Sequence, residues 1–262
     1  MTLSVHPTAI IEDGAQLGTN VTIGPFCHIG PNVVLGDGVT LLSHVVVGGY
    51  SQIGAGSTLY PFATIGMPPQ HARYKGEEVH LIIGVNCTIR EHVTMHPGTP
   101  FGSGETRVGD NGLFMVGVHI AHDCRVGNNV VMANQATLGG HVEIGDYVNI
   151  GGLSAVHQYV RIGKHSMVGG MSGVEGDVIP YGMVMGDRAR LSGLNIIGLK
   201  RRGFERDEVH ALRAAYRLLF AAEGTMAERI EDVSGLMKDN RAIMDIVEFI
   251  RTDSNRAICQ PR

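Results

Sequence analysis

No tryptophan occurs in the 262-residue chain and aromatic residues are only 5% of it, so bulky rings cannot be the main filling of its interior. The four cysteines, Cys27, Cys87, Cys124 and Cys259, show no C-x-x-C spacing, which argues against a thiolate metal site. No run approaches the roughly 20 apolar residues of a membrane-spanning helix. The opening MTLSVHPTAIIEDG has neither the basic start nor the apolar middle of a secretory signal, so a cytoplasmic location is expected. A formal net charge of -4 gives no general attraction to polyanions and makes nucleic acid an unexpected partner, local basic patches aside.

What the chain has in quantity is glycine, together with a period of six. Val5, Ile11, Leu17, Ile23, Ile29, Leu35, Leu41, Val47, Ile53, Leu59 and Ile65 are all aliphatic and evenly spaced at that period, and a glycine often follows. The pattern resumes in frame at Ile83, Ile89 and Met95, slips by one, and runs from Val108 and Phe114 to Val174. A period of six fits neither a 3.6-residue helix nor a hairpin sheet, and it suits a short strand and a tight turn repeated around a solenoid. The aliphatic residue should point inward, and the fifth position of each hexad, which shares that interior, should be small. Cys27, Cys87 and Cys124 occupy that fifth position and read as packing residues. The glycines are expected to supply corner conformations that a side chain disfavours.

Two segments break the rhythm, 67–82 and 97–107, and loops extruded from a regular solenoid are where function tends to sit. From about Glu205 the periodicity becomes helical. Val209, Leu212, Ala215, Tyr216 and Leu219 form an apolar stripe, Gly224 is a stop, and further helices fit 227–238 and 241–252. The division is therefore a solenoid over 1–190 and an α-helical domain over 191–262.

Twelve of the 13 histidines precede residue 200, in the solenoid or its loops. His6, His28, His44, His80, His92 and His165 fit polar positions on turns and faces. The stretch VHIAHDC, residues 118–124, differs: His119 and His122 flank the inward Ile120, and Asp123 follows His122. Three hexads make one coil of such a solenoid, and on that spacing His122, His141 and His157 are expected to line one stripe. A carboxylate beside an imidazole can fix its tautomer and stabilise the imidazolium, which suits a general base. The competing readings are a hydrogen-bonded ladder without chemistry, and a zinc site drawn from His119, His122 and His141.

HIAHDCRVGN (119–128), NQATLGGHV (134–142), AVHQ (155–158) and NIIGLKRRGF (195–204), with IGPFCHIGP and SHVVV nearer the start, carry a closer likeness. Over its whole length the chain resembles the UDP-N-acetylglucosamine acyltransferases that open lipid A biosynthesis. That resemblance implies a mainly β fold, a left-handed parallel β-helix of hexapeptide repeats with a C-terminal α-helical domain. It also implies a homotrimer with sites between neighbouring solenoids, moving a 3-hydroxyacyl chain from acyl carrier protein to the 3-position of the UDP-sugar. No bound cofactor or metal is implied, because 4'-phosphopantetheine arrives on the carrier protein.

Residue by residue, the resemblance implies His122 as general base, Asp123 as its support and the Gly140 N–H as oxyanion donor. Gln70, His71, Arg73, His96, His119, His141, His157 and Gln158 match substrate-contacting positions. Asn195 and Arg201 match residues near the acyl chain and nucleotide phosphates, and Gly170 matches the acyl-chain ruler. The basic cluster Lys200, Arg202 and Arg206 would dock the acidic carrier protein. Two departures stand out: His71 replaces the family's usual aspartate in the first loop, and Ile197 replaces a glutamate. They leave open an acceptor carrying a 3-amino group, which would give an amide.

Overall fold

Alternating short strands and tight turns carry the chain three times per coil from one flat sheet to the next. The structure, a computed structural model, describes residues 3–261; Met1, Thr2 and Arg262, at the outer ends of the two expected domains, lie outside the described residues. Ser4–Val5 pairs in parallel with Thr22–Ile23 and that strand with Thr40–Leu41, so each coil spends three hexads before returning to the same sheet. The three sheets of the prism hold eleven, nine and eight strands. They are called first, second and third here in chain order, beginning at Ser4, Ile10 and Gln16.

The interior is a column of aliphatic side chains, from Ile23 and Ile29 through Val168 and Val174, each almost fully enclosed. The fifth positions share that column as expected, with Val21, Cys27, Val33, Ser51, Ala63 and Cys124 all buried. Burial pushes the Cys124 thiol up to about 12, so it packs as a small hydrophobe. One hexad shows how tightly the two positions are linked. Phe114 is the largest fully buried side chain, and the small position before it is Gly112, where a Cβ would lie 2.5 Å from the Phe114 ring. Ring and glycine together fill the space of two aliphatic residues.

The glycines act differently from expectation. The residue after the inward aliphatic has ordinary backbone angles at Gly24 and Gly54, and glycine is needed there because the next coil is too close. A Cβ on Gly24 would meet the Leu42 carbonyl oxygen at 2.6 Å. The left-handed corner residue lies two places further on and is mostly not glycine: Asn20, Phe26, His44, Asp123, Asn129, His141 and Tyr159 all have φ near +60°. Asparagine and aspartate tolerate this region, whereas the rings there gain contacts by stacking along the corner.

Both rhythm breaks are extruded loops up to Val79 and Gly104, and their last residues are already strand, His80–Ile83 and Glu105–Val108. Ile65 pairs with Met95 across the first, and Met95 pairs with Ile120 across the second, so neither insertion interrupts the sheets. Beyond the repeat, Gly182–Met185 continues the first sheet and Arg190–Leu194 pairs antiparallel to it. This hairpin crosses the expected boundary at 190/191. Four helices follow: α1 (Ile196–Arg201), α2 (Arg206–Leu219), α3 (Met226–Leu236) and α4 (Arg241–Arg251). The expected stripe of α2 is its packed face, with Val209, Leu212, Ala215 and Leu219 buried. Side-chain oxygens of Thr225 and Asn240 cap α3 and α4. Residues 257–261 return to the solenoid, where the Asp177 N–H donates to the Ala257 carbonyl and the Cys259 N–H to the Asp177 carbonyl, each at 2.8 Å.

Candidate active site

The corner between the second and third sheets turns at Ala121–Asp123, between His119–Ile120 and Arg125–Val126. Asp123 adopts φ of 60°, which turns its carboxylate back beneath the second extruded loop. There the Thr99 hydroxyl donates to Oδ2 at 2.7 Å, the Ser103 N–H donates to Oδ1 at 2.8 Å, and the Thr99 N–H is shared between both oxygens at 3.1 Å. The loop comes this close because residue 102 is glycine; a Cβ there would lie 2.5 Å from the carboxyl carbon. Burial alone would raise the Asp123 carboxyl, but hydrogen bonds from His122 and Thr99 outweigh it and hold it well below the usual carboxylate range. The group is a fixed, buried anion.

His122 Nδ1 donates to Asp123 Oδ2 at 2.8 Å, which leaves Nε2 as the bare, accepting nitrogen. The imidazole lies over the next coil at Gly140, where a Cβ would be 2.6 Å from its Cε1. Glycine is therefore required beneath the ring, and the Gly140 N–H has no acceptor among the described residues. The His141 ring meets His122 edge-on at 5.2 Å and stacks on Tyr159 at 4.5 Å, with Nε2 3.8 Å from Asp123. Its pKa is lowered, by burial first and by His122 and His71 in smaller part, against the pull of Asp123.

The two loops meet over this corner. His71 sets its ring edge-on to His122 at 5.3 Å, and Phe101 lies between His71 and the Arg73 guanidinium. His96 is buried and donates from Nδ1 to the Pro68 carbonyl at 2.9 Å, which pins the first loop. His119 bonds Thr94 Oγ1 at 2.8 Å beside the His96 ring, and burial, then His96, lowers its pKa to about 4. Gln70 is exposed nearby.

One expectation needs correction. His157 does not join the His122 and His141 stripe: the coil repeat stacks His122 on Gly140 and Asp123 on His141, while exposed His157 meets Arg256. Asn195 and Arg201 stand away from His122, beside an apolar groove of about 690 Å³ on the first sheet, lined also by Val131, Met167 and Ile197. Asn195 is committed to its own backbone, capping Gly198 N–H at 3.1 Å and donating to the His165 carbonyl at 2.9 Å. Arg202 turns inward, donating to the Tyr147 carbonyl at 2.8 Å, whereas Lys200 and Arg206 line an outer groove with His210 and Arg213. Gly170 is exposed, and a Cβ there would touch only the Gly152 carbonyl, at 3.4 Å. Thr99 and Ser103 escaped sequence reasoning, whose one pointer was the break in rhythm around them.

Among the described residues the metal-capable cluster is His122, Asp123 and His141, within 4.8 Å of one another; His119, of the competing zinc set, is bonded to Thr94 instead. A cation here would have to take an Asp123 oxygen that already accepts, Oδ2 from His122 and Thr99 or Oδ1 from Ser103.

Known proteins agree with this architecture. The family model described as Udp N-acetylglucosamine O-acyltransferase, Domain 2, matches residues 177–259, and that of the bacterial transferase hexapeptide matches 8–43. Relatives named acyl-[acyl-carrier-protein]–UDP-N-acetylglucosamine O-acyltransferase include one from Caulobacter vibrioides, 58% identical over 99% of this chain and 98% of its own. Another, from Methylobacterium radiotolerans, is 57% identical over 99% and 95%. The chain belongs to the UDP-N-acetylglucosamine O-acyltransferase family. A solved family member from Moraxella catarrhalis superposes with a TM-score of 0.95 at 41% identity, covering 98% of this chain and 99% of that one. The family fold is the left-handed parallel β-helix, and the three stacked sheets here are its faces.

Proposed function

We infer that the chain transfers a 3-hydroxyacyl group from acyl carrier protein to the 3-position of UDP-N-acetylglucosamine, the opening step of lipid A biosynthesis. The carrying observation is the His122–Asp123 pair, clamped under the second loop with the Gly140 N–H beside the ring. His122 Nε2 takes the proton of the sugar hydroxyl as its oxygen attacks the thioester carbonyl. Asp123 stabilises the imidazolium, and the Gly140 N–H donates to the oxyanion. Collapse breaks the carbon–sulfur bond, and His122 returns the proton to the departing phosphopantetheine thiolate. The chain's own groups account for each proton, and the prosthetic group travels with the carrier protein.

One solenoid offers only half of this site. The outward residues of the parallel strands of the first and second sheets, among them Thr58, Leu113, Val131, Thr64 and Thr137, include no lysine, arginine or carboxylate, and Phe26, Phe62, Leu153 and Met171 expose apolar surface on the edge between the two sheets. The third sheet instead turns out Arg107, Arg125, Glu143 and Arg161. Three wedges meeting at that apolar edge make a homotrimer in which the first sheet of one protomer faces the second sheet of the next. His122, at the outer rim of the second sheet, would then face the neighbour's apolar groove with Arg201, which suits an acyl chain and a nucleotide phosphate. Lys200, Arg206 and Arg213 give the acidic carrier protein a basic docking groove, and no helix among the described residues is long and apolar enough to cross a membrane.

A second reading, a UDP 3-amino sugar acylated to an amide, is favoured by His71. The imidazoles of His71 and His141 flank His122, and His71 stands where a carboxylate would favour an ammonium, a setting that favours a neutral amine. Acyl transfer from 3-hydroxyacyl carrier protein to both acceptors, with wild type and His122→Ala, tests the two together. Loss of about 10²-fold or more in the variant is expected of a general base. An unaffected variant, or no transfer by wild type, would overturn the reading.

A further inference from the structure

The segment after α4 returns to the solenoid beside the catalytic corner, and a cation makes a contact there. Arg256 is half-buried; its Nε–H donates to the Gln158 carbonyl at 3.0 Å and its Nη2 meets His157 Nδ1. The contact is held from both sides. Ala257 and Cys259, the next residues, are hydrogen-bonded to Asp177, and Cys259 is buried. Asp253, Ser254 and Asn255, just before it, form one wall of a cavity of about 260 Å³ whose other wall includes Asp123 and His141.

We propose that Arg256 is a positioning residue for the transfer reaction, fixing His157 as the neutral Nε2–H tautomer and anchoring the coil that supports Gly139 and Gly140. A guanidinium has five donors and no acceptor, so His157 Nδ1 must be bare to receive it. The competing partner of that nitrogen is the Gln158 carbonyl, 3.2 Å away, which would need Nδ1–H and would set that proton against the guanidinium. His157 is thereby left with a single outward donor, Nε2–H, on an exposed ring where an acceptor oxygen of the substrate can reach it. The backbone effect runs through direct contact. Gln158 lies one coil beyond Gly140, and the Gln158 nitrogen would be 2.8 Å from a Cβ on Gly139, so the anchored peptide is the floor beneath the turn holding the oxyanion donor. This rests on the acyltransferase reading for its kinetic consequences, and on the hydrogen-bond geometry alone for the tautomer.

The test uses the full-length protein with labelled histidine. In wild type the His157 resonances, assigned with His157→Gln, should show an unprotonated Nδ1 and a protonated Nε2, and Arg256→Ala should shift them to a mixture of tautomers. Kinetically, Arg256→Ala should lower kcat/KM for acyl transfer about tenfold, the scale of one hydrogen bond to a charged group, with Tm unchanged. In a His157→Ala background most of that loss should vanish, and Arg256→Lys should restore only part of it. A protonated Nδ1 in wild type, or an Arg256→Ala loss that is undiminished without His157, would overturn the proposal. Wild type that transfers no acyl group would instead overturn the functional reading, while the tautomer measurement still decides the role of Arg256.

Discussion

Each of the prism's three corners holds stacked rings on left-handed residues, and only the one between the second and third sheets holds a candidate site. At the edge between the first and second sheets, Phe26, His44, Phe62 and His92 stack in order at about 5 Å, as a plain aromatic ladder. At the edge between the second and third sheets, His122, His141 and Tyr159 are similarly spaced, but a buried carboxylate lies among them and a loop closes over it. The left-handed position itself is held by His44 at one corner and by Asp123 at the other, so His122 precedes it and has a carboxylate as its neighbour. The difference is Asp123 and the second loop, which supplies five hydrogen-bond contacts from Thr99 and Ser103 and excludes water from the anion.

The sharpest way to break this comparison is to remove one imidazole from each of these two corners. His122→Ala should lower kcat by about 10²-fold or more, whereas His44→Ala should leave acyl transfer within about twofold, both read in the same assay. Next in size is Asp123→Asn, which keeps the shape and loses the charge that stabilises the imidazolium; about 10²-fold in kcat is expected, with substrate KM little changed. Removing only the clamp, by Thr99→Val, should cost about tenfold in kcat, since one hydrogen bond to a buried charge is lost. Moving outward, Lys200→Glu with Arg206→Glu should raise the carrier-protein KM several-fold and flatten its rise with salt, whereas Arg202→Ala should lower Tm instead. Gly170→Met should shorten the preferred acyl chain, measured with carriers loaded to different lengths.

The smallest effect is on stability against pH. His119 and His165 are each lowered to about 4 chiefly by burial, so the unfolded chain binds more protons than the folded one between that value and the ordinary imidazole pKa of about 6.5. Their contribution is fully present above about pH 6.5 and declines as pH falls toward 4. The depressed Asp123 carboxyl adds a further decline below about pH 4, through its ordinary and then its folded pKa. Urea unfolding from pH 7 to 4 should show His119→Gln with a shallower slope than wild type.

Much of the fold could be read along the chain because a period of six is a local property: Ile23, Ile29 and Leu35 each repeat the same turn chemistry and the same inward contact. His122 and Asp123 were legible too, as neighbours in sequence whose proximity the peptide bond guarantees. The hairpin at 182–194 was not, since Met185 and Arg190 carry no hexad signal and their pairing depends on the end of the first sheet. The reason for the glycines was hidden on similar grounds. Gly24 is glycine because of Leu42, its neighbour on the next coil, and its own backbone angles are ordinary.

By itself the sequence determined the solenoid, the small fifth positions, the helical stripe of α2 and the imidazole–carboxylate pair, because each follows from spacing within one or two turns of chain. Tertiary structure alone decided that Thr99 and Ser103 hold Asp123, that Gly140 and not His157 lies beneath His122, and that Arg256 reaches back along the chain to Gln158. Such contacts depend on where an insertion folds and on the count of residues per coil, and a shift of one residue moves a side chain from one stripe of the prism to the next.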